Sequence, residues 1–442
     1  MTSRIQQLRS ALIWLALIIP SAMLIGSICA GFLMSLHYVT DARFASPWFI
    51  YLLPLGGLLV GLLYHHFGGK SDEGNNLIMD QIHAPGGGVP TRMAPLVFLG
   101  TIITHLFGGS AGREGTAVQI GGSIASTLCR RLRLDPDSVK VLLMCGIAAG
   151  FGAVFGTPIA GAIFALEVLM IGRIRYESLL PCLIAAITAD WTCRLWGAHH
   201  THYAISYLTS IDPPSAFFHL ELGIFLKVIL AAILFGLAGT LFAKLTHGIG
   251  HVFKSTIKYP PLRPFIGGFI VIGLFHLVGT PDYLGLGVWS NNPDAVTISS
   301  LLSSPEIHHW SWFWKLLFTA ITLGAGFKGG EVTPLFFIGA ALGNVLAWVL
   351  NAPPSLFAAI GFVAIFAGAT NTPIACTIMG IELFGATHGI YLAIACLIAY
   401  YASGHSGIYM SQRIAIPKFN DQDLAPEITL KELHSKKNKR NK

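Results

Sequence analysis

The sequence predicts an all-α membrane protein that crosses the bilayer several times and consists of two homologous halves. Three observations predict this fold class. They are long stretches without charge, a motif that occurs once in each half, and glycine and proline breaks at corresponding places.

The first observation is the distribution of charge. Only 11% of the 442 residues are charged and 53% are hydrophobic, against roughly 25% charged residues in an average soluble domain. Residues 10–40, 141–166 and 332–381 contain no Asp, Glu, Lys or Arg, and about 20 apolar residues suffice for one transmembrane helix. The first stretch is too long for a signal peptide, whose apolar core has roughly 7–15 residues. We therefore expect several spans, the first of them retained.

The second observation is an internal repeat. The run Thr-Pro-Ile-Ala at 157–160 returns at 372–375, and the same shift of 215 positions places Glu167 on Glu382. Upstream, residues 113–116 face residues 331–334 at a shift of 218. Duplicated halves are the common plan of secondary transporters. We predict an N-terminal segment at 1–10, halves at 11–196 and 218–415, a linker at 197–217 and a basic tail at 416–442.

The third observation is that glycine and proline interrupt the apolar runs at matching places. In hydrocarbon such breaks leave backbone amides unpaired unless they line a cavity enclosed by protein or filled with water. Short helices that begin there point their positive ends and free N–H groups into the cavity, which suits an anion. Arg113 and Lys328, one near each break, add positive charge. The breaks predict an anion site.

The net charge of +7 gives information on orientation. The segment Lys431 to Lys442 is strongly basic, and Arg4 and Arg9 lie near the other end. Short basic segments beside a membrane stay in the cytoplasm, so both termini are expected on the cytoplasmic side of a plasma or inner membrane. A nucleic-acid partner would need a soluble basic face, and none is visible between the spans.

The cysteines and histidines predict no cofactor. Seven cysteines lie in apolar segments without a C-x-x-C pair, so buried reduced thiols are expected. Histidine pairs at 65–66, 199–200 and 308–309 fall at expected span ends, and no H-E-x-x-H motif is present. No metal site is predicted.

Glu114 is the most informative residue. It lies in a segment from Ala94 to Ile124 that is otherwise almost entirely apolar, small or hydroxylated, and an intramembrane carboxylate is a functional hypothesis by default. The alternative is a structural ion pair with Arg113, but adjacent residues of a regular helix do not face each other. A carboxylate at a helix-terminus anion site would compete with a transported anion, and its protonation would free the site. Glu114 is therefore predicted to couple anions to protons.

The motifs resemble those of the CLC family of anion channels and anion/proton antiporters. The resemblance spans about residues 50–412 and rests on Gly-Arg-Glu-Gly at 112–115, Gly-Thr-Pro-Ile-Ala-Gly at 156–161 and Gly-Gly-Glu-Val-Thr-Pro at 329–334. It implies two inverted repeats of many short, tilted and broken helices. It also implies a homodimer with one pore in each subunit and Glu114 as the external gating glutamate.

Two departures from the usual family pattern are similar to its fluoride-transporting branch. The usual Gly-Ser-Gly-x-Pro run is replaced by Gly-Asn-Asn-Leu-Ile-Met-Asp at 74–80, and the second-half motif carries a glutamate. A hydroxyl group such as that of Thr333 can donate a hydrogen bond to fluoride. The anion-pathway residues implied by the resemblance are Asn75, Met79, Gly112, Arg113, Gly115, Glu331, Val332, Thr333 and Tyr409.

Structural alternatives stay open for several of these residues. Met79 could serve ordinary helix packing, Glu331 a solvated helix start, and Tyr409 an aromatic belt at the membrane interface. Many CLC antiporters carry a proton-relay glutamate immediately after the position of Glu167, where this chain has Val168, so the inner proton route stays open. Glu167 and Glu382 are expected to cap helices or to meet partners at the dimer or inner face.

The function predicted from these residues is exchange of fluoride for protons, which would export fluoride. A chloride/proton antiporter or a passive anion channel of the same fold is the alternative. A remote alternative is a serine hydrolase, because residues 108–112 fit G-x-S-x-G. That motif works on a strand-to-helix turn of a soluble sheet, and small-residue packing explains its glycines in a membrane. Labelling of Ser110 by a fluorophosphonate probe would distinguish a hydrolase from a transport protein.

Overall fold

A computed structural model describes residues 2–201, 203–207, 221–303, 309–419 and 427–440. Within these ranges the chain is built almost entirely from α-helices. The helices before the gap at 208–220 are α1 (Thr2–Ala45), α2 (Leu53–Phe67), α3 (Asn75–His83), α4 (Met93–Leu106), α5 (Glu114–Leu132), α6 (Pro136–Phe155), α7 (Pro158–Glu167) and α8 (Leu179–Leu195).

The helices after the gap follow the same plan. They are α9 (Leu222–Thr256), α10 (Leu262–Val278), α11 (Ile298–Ser303), α12 (Ser311–Gly324), α13 (Val332–Leu350), α14 (Pro354–Thr370), α15 (Pro373–Phe384), α16 (Gly389–Ala402) and the C-terminal α17 (Leu430–Arg440). Strands β1 (Met170–Ile171) and β2 (Arg413–Ile414) form a short parallel pair. Corresponding helices pack in corresponding pairs, for example α5 on α6 and α13 on α14.

Apolar helices make this an all-α polytopic membrane protein. Six segments of the described chain are long and apolar enough to cross a bilayer, and several of the remaining apolar helices have only 10–17 residues. The lipid-facing side of α9 exposes Leu226, Leu230 and Leu237, a surface that suits hydrocarbon rather than water. All seven cysteines are buried and unbridged, as predicted.

The central helix pairs approach each other at glycines. A Cβ atom built on Gly121 of α5 would lie 2.0 Å from the Gly146 oxygen of α6. A Cβ atom on Gly339 of α13 would lie 2.1 Å from the Gly361 oxygen of α14. Both positions are equivalent in the repeat, and small residues are what allow helix backbones to touch in membranes.

Two carboxylates tie the halves together reciprocally. Glu167, at the end of α7, accepts hydrogen bonds from the N–H groups of Ile374 and Ala375 at 3.1 and 2.8 Å. Glu382, on α15, accepts bonds of the same lengths from the N–H groups of residues 159–160. Each carboxylate therefore caps the helix that begins in the other half. The capping alternative is the one that the structure shows, and its symmetry places a pseudo-two-fold axis between the halves.

We expect Glu167→Gln to weaken the fold, because an amide has one acceptor oxygen for two buried N–H groups. The expected loss is about 1–3 kcal/mol of unfolding free energy, the cost of leaving a buried donor unpaired. Thermal unfolding in detergent would show a lowered midpoint. Glu177→Gln is the matched control, because Glu177 is exposed between β1 and α8. Equal midpoints for the two variants would contradict the capping role.

The predicted linker and terminal segments are partly integrated into the helical body. Residues 2–10 continue α1, and residue 202 and residues 208–217 of the predicted linker lie outside the described residues. In the predicted tail, Lys418 donates to the Asn371 side chain at 2.5 Å and to Ser403 at 3.0 Å. Leu430 of α17 is buried, whereas residues 420–426 and 441–442 of the tail lie outside the described ranges.

Candidate functional site

The site begins where the two breaks in the chain meet. The N–H of Gly112 donates to the Gly330 oxygen at 2.6 Å, and the N–H of Gly330 donates to the Gly112 oxygen at 2.7 Å. These glycines are 218 positions apart and equivalent in the repeat, so the pseudo-two-fold axis passes between them. Immediately after them, α5 begins at Glu114 and α13 begins at Val332. The N-termini of two helices from opposite halves therefore meet.

Both glycines are required by close contact. A Cβ atom on Gly112 would lie 2.9 Å from the Glu114 Oε2 atom and 3.0 Å from the Gly330 oxygen. A Cβ atom on Gly330 would lie 2.8 Å from the N atom of Gly115. Any larger residue would separate the two helix starts, because glycine alone lets backbones come this close.

The Glu114 carboxylate occupies the N-terminus of α13. Its Oε2 atom accepts hydrogen bonds from the N–H groups of Arg113 and Thr333, both at 3.1 Å. Its Oε1 atom accepts the hydroxyl of Thr333 at 2.5 Å. Glu114 is only 1% exposed. A helix N-terminus with free N–H groups is a ready anion site, so the carboxylate takes the place that an anion would take.

Arg113 and Glu114 lie close enough for an ion pair, which regular helix geometry does not predict for adjacent residues. Arg113 lies one residue before α5 in a non-helical conformation, so the rule for adjacent residues within a helix does not apply to it. Its Nε atom is 3.6 Å from Glu114 Oε1, and this nitrogen has no hydrogen-bond partner among the described residues. Arg113 therefore supplies positive charge beside the carboxylate without a directed hydrogen bond.

A small cavity opens beside Glu114. It encloses about 20 Å³ of free space, enough for one water-sized particle. Arg113, Thr333 and residues from five other segments form its wall. The remaining lining residues are Phe155, Thr201, Tyr203, Val288, Phe336, Phe362 and Leu383. None of these seven residues was predicted from the sequence, and two of them, Thr201 and Tyr203, belong to the predicted linker.

The aromatic side chains form one wall of this cavity. The rings of Phe336 and Phe362 stack at 3.9 Å, and the ring of Phe155 lies 5.4 Å from that of Phe336. The Tyr203 ring lies 5.6 Å from that of Phe362. In the sequence these four residues share only their aromatic side chains, which are equally typical of a packed core.

Asn75 and Met79, two more of the residues predicted from the sequence, belong to α3. The Asn75 amide contacts the segment at Gly115, with its nitrogen 3.2 Å from a Cβ atom built there, and its Oδ1 atom is buried without a hydrogen-bond partner in the described chain. Met79 is buried in the main apolar core. Neither side chain lines the cavity beside Glu114, so packing remains a sufficient account of Met79.

Glu331 and Tyr409 are two further residues of the anion pathway predicted from the sequence. Glu331 precedes α13 at its N-cap position, and its carboxylate has no hydrogen bond or ion pair with a described residue. Tyr409 is 4% exposed, and its ring lies 6.5 Å from that of Phe164. Its segment is held by Asn76, whose side chain accepts the N–H of Ser411 at 3.0 Å. Two carboxylates, those of Glu114 and Glu331, therefore lie at the start of α13.

The predicted role of Lys328 at the break needs correction. Its ammonium group donates to Asp72 at 2.5 Å and lies 4.0 Å from the centre of the Tyr64 ring. An ion pair reduces the charge that Lys328 can offer an anion. The sequence could not reveal this pair, because Asp72 is 256 positions away.

Ser110 has a structural environment. Its hydroxyl forms a hydrogen bond with that of Thr319 at 2.9 Å, and its N–H donates to Thr322 at 3.2 Å. The side chain is fully buried. A nucleophilic serine needs an exposed hydroxyl at the end of a strand, so the geometry does not favour the hydrolase alternative.

Comparison with known proteins identifies the family. The family model described as voltage gated chloride channel matches residues 56–404. This chain belongs to the CLC family. The resemblance of its motifs to CLC proteins is thereby confirmed.

Several CLC proteins are similar along most of their length. A protein of Pseudomonas syringae pv. tomato named chloride/fluoride channel protein is 48% identical over 95% of this chain and 90% of its own. The Yersinia pestis protein named voltage-gated ClC-type chloride channel ClcB is 30% identical over 82% of this chain and 86% of its own.

Solved CLC structures share the fold. A CLC-type fluoride/proton antiporter superposes with a TM-score of 0.84 and 35% identity, covering 91% of this chain and 98% of that one. A slow cyanobacterial Cl⁻/H⁺ antiporter superposes with a TM-score of 0.70 and 20% identity, covering 88% and 94%. The predicted fold class is confirmed, and the family moves halides as channels or as antiporters.

Proposed function

We propose that this protein exports fluoride in exchange for protons, with Glu114 as the group that alternates between the anion site and a protonated state. The observation that carries the proposal is the seating of the Glu114 carboxylate on the N–H and hydroxyl of Thr333. These two donors at the start of α13 are what a small anion would bind.

The proposed cycle follows from competition for these donors. An ionised Glu114 occupies the site and excludes an anion. A protonated Glu114 carries no charge, so it binds the positive helix end less strongly and leaves the donors to the anion. Return of the carboxylate releases both anion and proton, in opposite directions if the side chain takes its proton from one side only. One residue then couples the two fluxes.

The choice of fluoride rests on the donor chemistry and on two relatives. Thr333 places a hydroxyl donor where the site is built, and fluoride is a compact and strong hydrogen-bond acceptor. The 48% identical relative is named for chloride and fluoride, and the 35% identical structure is a fluoride/proton antiporter. The serine of the usual chloride motif is absent from residues 74–80. Glu331 stands at the N-cap of α13, and a glutamate in this motif is one of the two features in which the chain resembles the fluoride-transporting branch.

The setting of this function is a proposal of the same kind. We place the protein in the inner or plasma membrane with both termini in the cytoplasm, on the basis of the basic end segments. We also propose a homodimer with one pathway in each subunit, as the family resemblance implies. Tail-specific cysteine labelling in intact and permeabilised cells tests the orientation, and light scattering of the purified protein in detergent tests the dimer.

Flux measurements in proteoliposomes test the function. Vesicles loaded with equal fluoride and chloride are diluted into halide-free buffer, with potassium and valinomycin setting the voltage. Ion-selective electrodes follow both anions and a dye follows internal pH. We expect fluoride to leave at least about tenfold faster than chloride, a barrier difference of about 1.4 kcal/mol, while protons enter.

The alternatives give different results in the same experiment. Chloride efflux as fast as that of fluoride, with proton entry, indicates a chloride/proton antiporter. Fluoride efflux that moves no protons at any voltage indicates a passive channel. Protein-free vesicles and the Glu177→Gln variant are the controls.

A further inference from the structure

A second positively charged pocket lies at the C-terminal end of α1, apart from the site at Glu114. Arg43, in the last turn of α1, is only 7% exposed. Its Nε atom is buried without a hydrogen-bond partner, and none of its nitrogens donates to a described residue. The guanidinium carbon lies 4.7 Å from the centre of the Phe44 ring, a cation–π contact. A buried guanidinium without an acceptor is costly.

A second buried cation lies beside it. Lys315 of α12 is fully buried and donates to the main-chain oxygens of Tyr283 and Gly285 at 3.2 and 2.8 Å. The Arg43 guanidinium approaches Gly285 as well, 3.1 Å from a Cβ atom built there. Neither cation forms an ion pair with a carboxylate of the described chain. Two positive charges therefore converge on one loop, and neither is paired directly with a carboxylate of the described chain.

Two carboxylates lie in this region, Asp41 and Asp282, and neither pairs with Arg43. Asp41 forms an exposed pair with His37 at 3.4 Å. Asp282 lines the pocket, and its Oδ2 atom accepts the N–H of Val296 at 3.1 Å. The C-terminus of α1 contributes partial negative charge, but no carbonyl oxygen of this helix accepts from Arg43.

The pocket has the size and the donors for one small anion. Its free space is about 20 Å³, which is room for a water-sized particle. Thr297 and Ser290 line it; their hydroxyl oxygens accept the N–H groups of Ser300 and Asn292. Their hydroxyl protons are donated to no described residue, so they remain free to point into the pocket with Arg43.

We infer that this pocket is a second halide site, in which Arg43 and the hydroxyls of Ser290 and Thr297 bind one monatomic anion such as fluoride or chloride. The site adjoins the transport cavity through one loop. Gly287 and Trp289 line the Arg43 pocket, whereas Val288 between them lines the cavity at Glu114. An anion bound at Arg43 therefore fixes the loop that forms part of the wall around the gate.

Tryptophan fluorescence tests the inference, because Trp289 belongs to the pocket wall and packs on Phe44 at 5.1 Å. The full-length protein in detergent is titrated with sodium fluoride or sodium chloride, with gluconate keeping the ionic strength constant. We expect a saturable change in emission that survives in Glu114→Gln and Arg43→Lys. It should disappear in Arg43→Gln and in Trp289→Phe.

Two further variants protect the test against a folding defect. Thr297→Val removes one donor and is expected to raise the half-saturating anion concentration about tenfold. Arg131→Gln, at the exposed end of α5, is the matched control and should titrate like the intact protein. A response that persists in folded Arg43→Gln overturns the inference. So does a response that appears only after Asp282→Asn, because Asp282 would then be the partner of Arg43. No transport is measured, so this result is independent of the proposed fluoride export.

Discussion

Replacing Glu114 by glutamine is expected to abolish proton movement driven by a fluoride gradient. The amide cannot take up and release a proton in the range where a carboxylate does, so the exchange loses its proton carrier. We expect proton flux to fall at least about 100-fold, to the level of empty vesicles, a barrier increase of about 2.7 kcal/mol. The uncharged side chain also competes less with an anion at α13, so remaining fluoride flux should be independent of pH.

The measurement is made with a fluoride electrode and an internal pH dye in the same vesicles. Glu114→Asp is the informative companion, because it keeps the carboxylate but shortens its reach to Thr333, now 2.5 Å from hydroxyl oxygen to carboxylate oxygen. It should retain coupling at a reduced rate. Uphill proton movement in Glu114→Gln would show that another group carries the proton, and Glu331 would be the first to examine.

Replacing Thr333 by valine is expected to reduce the preference for fluoride over chloride. Valine has the shape of threonine without the hydroxyl, so the main-chain N–H at 3.1 Å from Glu114 stays while the hydroxyl donor is lost. A hydrogen bond to a charged acceptor contributes about 1.5–3 kcal/mol. Fluoride accepts hydrogen bonds more strongly than chloride, so we expect the ratio of fluoride to chloride efflux to fall about tenfold or more.

Thr333→Ser is the matched control, because it retains the hydroxyl and removes only a methyl group. We expect it to preserve the ratio of the two effluxes within about twofold, corresponding to a change of roughly 0.4 kcal/mol. If valine and serine variants discriminate between the anions equally well, the hydroxyl has no part in selectivity. Proton coupling in both variants should stay intact, since Glu114 is unchanged.

The part of the site that lies within one motif could be predicted from the sequence. Glu114 was noticeable because a carboxylate in an apolar segment is costly and needs a reason. Thr333 followed from the repeat, which aligned the two breaks, and from the family resemblance. These inferences depend on neighbours in the chain or on a fixed shift of 218 positions, so no knowledge of folding was required.

Contacts between segments that are distant in the sequence could not be predicted from chain neighbours or from the repeat. Tyr203 was assigned to a linker, although it lines the cavity at Glu114. Lys328 was expected to add positive charge near the anion site, but its ammonium group forms an ion pair with Asp72. Arg43 belongs to none of the motifs, although it is buried beside Lys315 and Gly285 in the structure. In each case the role of the side chain depends on which segment packs against it. The identity of that segment cannot be read from a single polar residue in the sequence.

Sequence patterns are enough to recognise this chain as a duplicated membrane protein of the CLC family, with a carboxylate at one of two paired helix breaks. Uncharged length, repeat spacing and local motifs are sufficient for that. The folded structure was needed to see that the Glu114 carboxylate occupies the start of α13 and that Glu167 and Glu382 cap helices of opposite halves. The physical reason is that hydrogen bonds and ion pairs form across space, between groups that a pseudo-two-fold packing of the halves brings within about 3 Å.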